Sequence, residues 1–420
     1  MSYIRVNSTF LIQFSIEKEK VLIYDLNSTS ELVFSGEEFH ILNDLVNKNL
    51  SLENVEKIYD KSKIRNLVQN LKDKHVIRTF DGKVISKPLT TISSVALKLP
   101  RMRKFQINRL VFEITGECNL NCKFCTDEPV IYRSCGCKKW KQSSNQLELQ
   151  DYRDLINQAI KMNLQQIDFM GGEPLLKWNL IKSIIEEYSQ FGIHFNIYTN
   201  GTLIDRDIVD FLKKHKVCLI FQLLGFENHY KKANVEMSDY DKIKENLDLI
   251  SLNKISCVLY LLVHKYNETS IDDISSYYYK KGFHVEKVYL YPTNEMCSSL
   301  NLSVMESPEM RNLHIDFNNY QLMDYVHCCL NGQICISHNG DIFPCIMLRE
   351  KIGNIRERKL WEIFKEGLHK KYWEINKNDI EHCKKCERKF QCFDCRALEY
   401  YTTKNLYGMK YCNQISYLKK

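Results

Sequence analysis

The chain has no run of about 18 uncharged apolar residues, the length that crosses a bilayer, and no amino terminus in which basic residues precede an apolar stretch. Neither membrane insertion nor export is therefore expected, and the predicted location is the cytoplasm. It also lacks any long block of like charge. The formal charge of +7 is scattered, with Lys and Arg interleaved among Asp and Glu, which argues against a nucleic-acid partner. Such a distribution suits a solvated surface or an acidic peptide partner. Core material is not lacking: at roughly 150 residues per domain, 420 residues with 44% apolar content give two to four domains. Each can bury its own core without a scaffolding metal. What stands out instead is cysteine. Seventeen of them in a chain expected inside the cell are not a disulfide framework, because intracellular reductants keep thiols reduced. Metal or redox duty is the better default, and the clustering of the cysteines strengthens it.

Three regions follow one another. From Thr9 to Phe80, the β-like runs "TFLIQF", "KVLIYDL" and "SELVF" precede helical periodicity in "EEFHILNDLVNKN", "LENVEKIYD" and "KIRNLVQNLKDKH", with Ser35 and Ser51 placed as N-caps. A small α+β, winged-helix-like domain is expected over residues 1–85, and a linker containing Pro88 and Pro100 over 86–106. Over 107–309 the runs "RLVFEIT", "QIDFM", "HFNIYT", "VCLIFQLL", "SCVLYLLV" and "VEKVYLY" alternate with amphipathic segments. Six β/α repeats predict an α/β fold with a parallel sheet curled into a partial (β/α)6 TIM barrel, its chemistry in the loops after the strand carboxyl ends. Over 310–420 the rhythm is lost and cysteines accumulate, as in a domain ordered by bound metal.

The segment "GECNLNCKFC", Gly116 to Cys125, follows directly on the first barrel strand. Three soft thiolates on one loop, Cys118, Cys122 and Cys125, can hold three corners of an iron–sulfur cube and leave the fourth iron open. The alternative, structural zinc, calls for four protein ligands. The motif CxxxCxxC, with Phe124 before the last cysteine, resembles that of the radical S-adenosylmethionine (radical SAM) enzymes. The resemblance implies that the open iron chelates the amino and carboxylate groups of SAM and that the reduced cluster cleaves it to a 5′-deoxyadenosyl radical, which abstracts a substrate hydrogen. Two further stretches fit. In "MGGEP", Gly171 and Gly172 lack side chains that would hold a ligand away from the backbone, Glu173 offers an acceptor to an ammonium group, and Pro174 closes the motif. The family assigns this stretch to the SAM amino group. In "YTNGT", Thr199 and Asn200 are similar to polar residues lining the SAM pocket.

Downstream, "CCLNGQICISHNGDIFPC" and "CKKCERKFQCFDC" precede a final Cys412. The series resembles the SPASM extension of radical SAM enzymes that modify peptides. Carried over in order, Cys329, Cys335, Cys345 and Cys395 hold a first auxiliary cluster, and Cys383, Cys386, Cys392 and Cys412 a second, making three 4Fe-4S clusters in all. Cys328 is an alternative to Cys329, and Cys392 and Cys395 are one residue closer together than the usual pattern. The paired CxxC units also suit a zinc ribbon. Cys135, Cys137 and Cys297 are candidate catalytic thiols or ordinary loop residues, while Cys218 and Cys257, in apolar strands, read as small buried hydrophobes.

The amino-terminal unit resembles the PqqD-like recognition element of ribosomal-peptide (RiPP) maturases, in which a precursor's leader lies along an exposed strand edge, here "SELVF" opposite "KIRNLVQNLKDK". A plain winged-helix domain is the alternative. The resemblance implies an oxidoreductase that takes electrons from a flavodoxin or ferredoxin and installs a thioether or carbon–carbon crosslink in a precursor peptide. Peptide epimerisation is the nearest variant. Formylglycine formation of the sulfatase-maturase type is a second, although Ile346 stands where those enzymes have aspartate. A non-catalytic iron–sulfur carrier or peptide-binding protein is the reading from another class.

Overall fold

Short strands that cannot cover both of their faces must find partners far along the chain, and the amino-terminal unit shows this. The computed structural model describes residues 1–7, 9–16, 18–28, 30–82, 106–125, 130–132, 136–292, 329–386, 389 and 395–409. They fall into two compact units. The first takes in residues 1–104, 310–328 and 374–394, the second 105–309, 329–373 and 395–420.

In the first unit, β1 (Ser2–Val6) pairs antiparallel with β5 (Ile77–Asp81), while β2 (Phe10–Ser15), β3 (Lys20–Asp25) and β4 (Glu31–Ser35) form an antiparallel sheet in that order. The β1–β5 ribbon has no counterpart among the sequence-predicted strands, because its halves are 70 residues apart in the chain and β5 is largely exposed. Helix Lys61–Asp73 buries Ile64, Leu67, Val68 and Leu71, a stripe at helical spacing, and starts at Asp60, whose side chain accepts from Lys63 N. Ser51 caps as expected, accepting from Asn54 N at 3.3 Å. Ser35 does not: it ends β4, and Gly36, at φ +58°, makes the turn into helix Glu37–Leu42. That helix runs on into a wider π-helical turn over Asn43–Asn47.

The second unit is built on one sheet. β6 (Arg109–Thr115), β8 (Gln166–Gly171), β9 (His194–Thr199), β10 (Cys218–Leu223), β11 (Cys257–Val263) and β12 (His284–Pro292) are parallel neighbours in that order. These are the six expected barrel strands, and β6 and β9 have the expected bounds. The sheet continues at both margins. β7 (Val130–Tyr132) lies antiparallel to β12, and β13 (Gln333–Ile336) lies parallel to β6, followed by antiparallel β14 (Asp341–Phe343) and β15 (Gly353–Asn354). The strand rhythm expected to stop before residue 310 therefore resumes beyond it. Cys218 and Cys257, expected to be buried, are half-buried at strand starts. Among the described residues no helix is long and apolar enough to cross a membrane.

Strand alternation divides the two faces. Phe112, Phe169 and Phe195 pack toward the helices, Phe112 meeting Tyr152 of helix Leu149–Ile160 edge-on at 5.0 Å. On the other face Asp168, fully buried, accepts from Arg109 Nε at 2.5 Å, Gln166 Nε2 at 2.8 Å and Asn196 Nδ2 at 2.8 Å. Arg109 also donates to Gln333 Oε1 at 2.9 Å and Tyr198 OH at 3.3 Å. One ion pair thus ties β6 to β8, β9 and β13. Removing one member of a buried pair strands the other's charge, so Asp168→Ala is expected to destabilise the fold by roughly 3–5 kcal/mol, read as a lower urea midpoint. A loss below about 1 kcal/mol would show that the network does not hold the strands.

Candidate active site at the carboxyl ends of the barrel strands

β6 ends at Thr115, and the next ten residues carry Cys118, Cys122 and Cys125. Burial pushes the Cys118 thiol up to about 11, and hydrogen bonding from Leu120 N, at 3.4 Å, opposes it. Burial also raises Cys122, and the neighbouring Cys125 and Cys118 add to it. Three donors point at these sulfurs: Leu120 N, Lys139 N to Cys125 Sγ at 3.3 Å, and Asn200 Nδ2 to Cys118 Sγ at 3.7 Å. Such donors stabilise thiolates when a metal replaces the protons. Among the described residues no three His, Cys, Asp or Glu side chains converge tightly enough to hold a single metal ion.

Glu173 lies between the ends of β8 and β9. It is fully buried, accepting from Leu175 N at 3.0 Å, Thr199 Oγ1 at 2.8 Å and Asn200 N at 2.8 Å. Burial raises its carboxyl to about 7 against the lowering effect of these three donors. Both oxygens are met by donors of the protein, so Glu173 clamps the two strand ends, a role absent from its sequence-level reading as an acceptor for an ammonium group. The glycines act similarly. A Cβ on Gly171, at φ +148°, would lie 2.3 Å from Thr115 O, and one on Gly172 would lie 1.9 Å from Glu117 O. What the missing side chains admit is the backbone of the cysteine loop: Gly172 N donates to Thr115 O at 2.9 Å and Glu173 N to Glu117 O at 2.7 Å. Pro174 is buried and opens the 3-10 turn Pro174–Lys177. Asn200 completes the tie, donating to Asn119 Oδ1 at 3.0 Å and accepting from Thr202 N at 2.9 Å.

Two components carry no motif in the sequence, although Cys137 of the first is one of the candidate thiols. Residues 136–142 form a strap over the strand ends. In it Cys137 Sγ donates to Tyr198 O at 3.0 Å, Lys138 N to Gly171 O at 2.7 Å and Trp140 N to Gly116 O at 3.0 Å. Cys137 is buried, which raises its thiol, and it lies within the field of Glu173, Cys118 and Cys125. The other component is His264, just past β11, whose ring stacks on Phe124 at 5.5 Å. Its Nδ1 accepts from Tyr266 N at 3.2 Å, so the ring proton is on Nε2, which meets no hydrogen-bond partner among the described residues. Burial lowers His264 to about 4, and the ring is neutral near pH 7.

Cys329, Cys335, Cys345 and Cys395 all belong to the second unit, with Cys335 on β13. Cys345 Sγ accepts from Leu348 N at 3.2 Å. Cys383 and Cys386 belong to the first unit. Cys135, Cys297, Cys328, Cys392 and Cys412 lie outside the described residues.

The tight seat of Gly172 gives a direct test of how the loops are joined. Gly172→Ala is expected to lower the thermal midpoint by several degrees, whereas Gly136→Ala, where the nearest heavy atom is 3.9 Å from the new Cβ, leaves it within about a degree. Equal midpoints would show that the loop tolerates a shift.

Comparison with known proteins places this geometry. Residues 112–277 match the Radical SAM superfamily and residues 328–387 the SPASM iron-sulfur cluster-binding domain. A cysteine-type anaerobic sulfatase-maturating enzyme of Clostridium novyi is 22% identical over 322 residues, 67% of this chain and 85% of that one. The radical SAM cyclopropyl synthase TigE of Paramaledivibacter caminithermalis is 29% identical over 160 residues, 36% of this chain and 33% of that one. Among solved structures, Streptococcus suis SuiB bound to S-adenosylmethionine shares the fold with a TM-score of 0.54 at 16% identity, over 98% of this chain and 100% of that one. The structure of anSMEcpe with bound AdoMet gives 0.56 at 17% identity, over 74% and 95%. With the cysteine loop at the end of β6 and both family matches falling in order along the sequence, the chain carries a Radical SAM domain and, after it, a SPASM iron–sulfur cluster-binding domain.

Proposed function

We propose that this chain is a peptide maturase that cleaves S-adenosylmethionine reductively and installs a thioether or carbon–carbon crosslink in a ribosomally made precursor. The observation that carries the reading is the joining of the three-thiol loop to the ends of β8 and β9 through Glu173 and Asn200. The donor set fits an iron–sulfur cluster: three thiols on one loop, with backbone and amide N–H groups directed at two of the sulfurs. When bound, the cluster supplies the electron that breaks the sulfonium and releases a 5′-deoxyadenosyl radical. Cys118, Cys122 and Cys125 hold it. Phe124, Gly171, Gly172, Glu173, Pro174, Thr199 and Asn200 shape the nucleotide site beside it. Glu173 does so by fixing Thr199 and Asn200, and the strap at Cys137 shields the sulfurs from water. Cys329, Cys335, Cys345 and Cys395 are the ligands of one auxiliary cluster, and Cys383, Cys386, Cys392 and Cys412 of another. A flavodoxin or ferredoxin is the reductant.

A peptide substrate is supported by the neighbours: SuiB has been solved bound to its precursor peptide SuiA, and anSMEcpe bound to the peptide Cp18Cys. Among the described strands β4 is an outer one of its three-stranded sheet, with Val33 55% exposed, and this supports docking of a leader segment beside it in the manner of a PqqD-like element. The sulfatase-maturase reading also has relatives behind it; against it stands Ile346, fully buried, where a reacting carboxylate would be needed.

Anaerobic, reduced protein is expected to form 5′-deoxyadenosine from S-adenosylmethionine, and the Cys118→Ala, Cys122→Ala, Cys125→Ala triple variant to form none while retaining the iron of the auxiliary sites. Continued cleavage by that variant would refute the ligand assignment. Coexpression with a short precursor encoded nearby is expected to show, by mass spectrometry, loss of a pair of hydrogens per crosslink. Formylglycine in a sulfatase peptide would favour the second reading instead. Deleting residues 1–85 is expected to weaken precursor binding more than nucleotide cleavage, and unchanged precursor affinity would remove the leader-docking role.

A further inference from the structure

A carboxylate that neither the nucleotide site nor the auxiliary ligands use is buried between them. Glu113, on β6 five residues before Cys118, is fully buried. Its Oε1 lies 2.6 Å from His338 Nδ1 and its Oε2 lies 2.6 Å from Arg349 Nη1. The histidine brings no charge. Its Nε2 accepts from Ser143 N at 2.9 Å, so its proton is on Nδ1 and is donated to Glu113. Among the described residues Arg349 is therefore the cation in contact with this carboxylate. Its guanidinium is sandwiched between Trp140, at 4.1 Å, and Phe343, at 4.2 Å.

The position of Arg349 gives the pair its interest. It comes four residues after Cys345, and the preceding Leu348 N donates to Cys345 Sγ at 3.2 Å. Arg349 N donates to Tyr401 OH at 3.2 Å, and Tyr401 lies on helix Arg396–Thr403, which starts immediately after Cys395. Tyr401 is half-buried, which raises its hydroxyl; Arg349 opposes that rise, and Glu350 and Cys345 add to it. Trp140 belongs to the strap in which Lys139 N meets Cys125 Sγ. The guanidinium thus lies between the loop of the first three cysteines and the loops of Cys345 and Cys395.

We infer that Glu113 and Arg349 are positioning residues that set the reduction potential of the auxiliary cluster held at Cys345. The inference rests on the auxiliary-ligand reading above. Reduction adds negative charge to a cluster. A cation beside it stabilises the reduced form and raises its potential, and an anion lowers it, most strongly where water is excluded. Charges of opposite sign in contact largely cancel, so each partner masks the other. Taking away one unmasks its neighbour, and the two removals must act in opposite directions.

The test is a redox titration followed by electron paramagnetic resonance, in the Cys118→Ala, Cys122→Ala, Cys125→Ala background, which leaves only auxiliary signals. The relevant signal is the one lost in Cys345→Ala. Arg349→Met is expected to shift its midpoint to lower potential and Glu113→Gln to higher potential. The double variant should return toward the parent, and Arg349→Lys, which keeps the charge, should stay near it. Should Arg349→Met lose its iron, the near-isosteric Glu113→Gln carries the sign alone. Shifts of the same sign, or unchanged midpoints with iron retained, would overturn the inference. If the parent background shows no signal that Cys345→Ala abolishes, the ligand reading itself fails and the inference with it, a result seen before either charge is altered.

Discussion

The candidate active site depends on one buried carboxylate. Glu173 accepts three hydrogen bonds from Leu175, Thr199 and Asn200, and through them the ends of β8 and β9 are held at one separation. A parallel sheet brings its strand termini to the same side but does not by itself fix the loops that leave them. Here the fixing is done by Glu173, by the seating of Gly172 on the backbone of Glu117, and by Asn200 bridging to Asn119. An acid in that position is costly to bury, because water no longer solvates its charge, and the same burial pushes its carboxyl up. It is tolerated because three donors meet its two oxygens.

This order of causes separates motif residues that meet a ligand from those that hold the site together. Gly171 and Gly172 look in sequence like a cradle for a small molecule; in the fold their open space is filled by the chain's own backbone. Sequence motifs at strand ends record loop packing as much as binding, and only the contacts distinguish the two.

Much of the barrel was legible because its strands are continuous apolar runs bounded by turn residues, as buried parallel strands are. The segments Arg109–Thr115 and His194–Thr199 have the same ends in sequence and structure. The three cysteines stand on the loop that leaves β6, the place their sequence position after an apolar run gave them. The remainder was hidden for identifiable reasons. β1 and β5 are short and pair across most of their unit, and β15 has two residues, too few for any periodicity. Ser35 looked like a cap because it precedes two glutamates, yet the turn needed a positive φ that Gly36 supplies more cheaply. His264 and Arg349 reach their partners from loops with no repeating pattern, so no local signal marks them.

The short strand β7 has a consequence for how the margins of the barrel are joined. The chain leaves Cys125, on the first strand's loop, pairs with β12, the last of the parallel set, and returns as the strap over β8 and β9. One segment therefore laces the two margins of an incompletely closed cylinder.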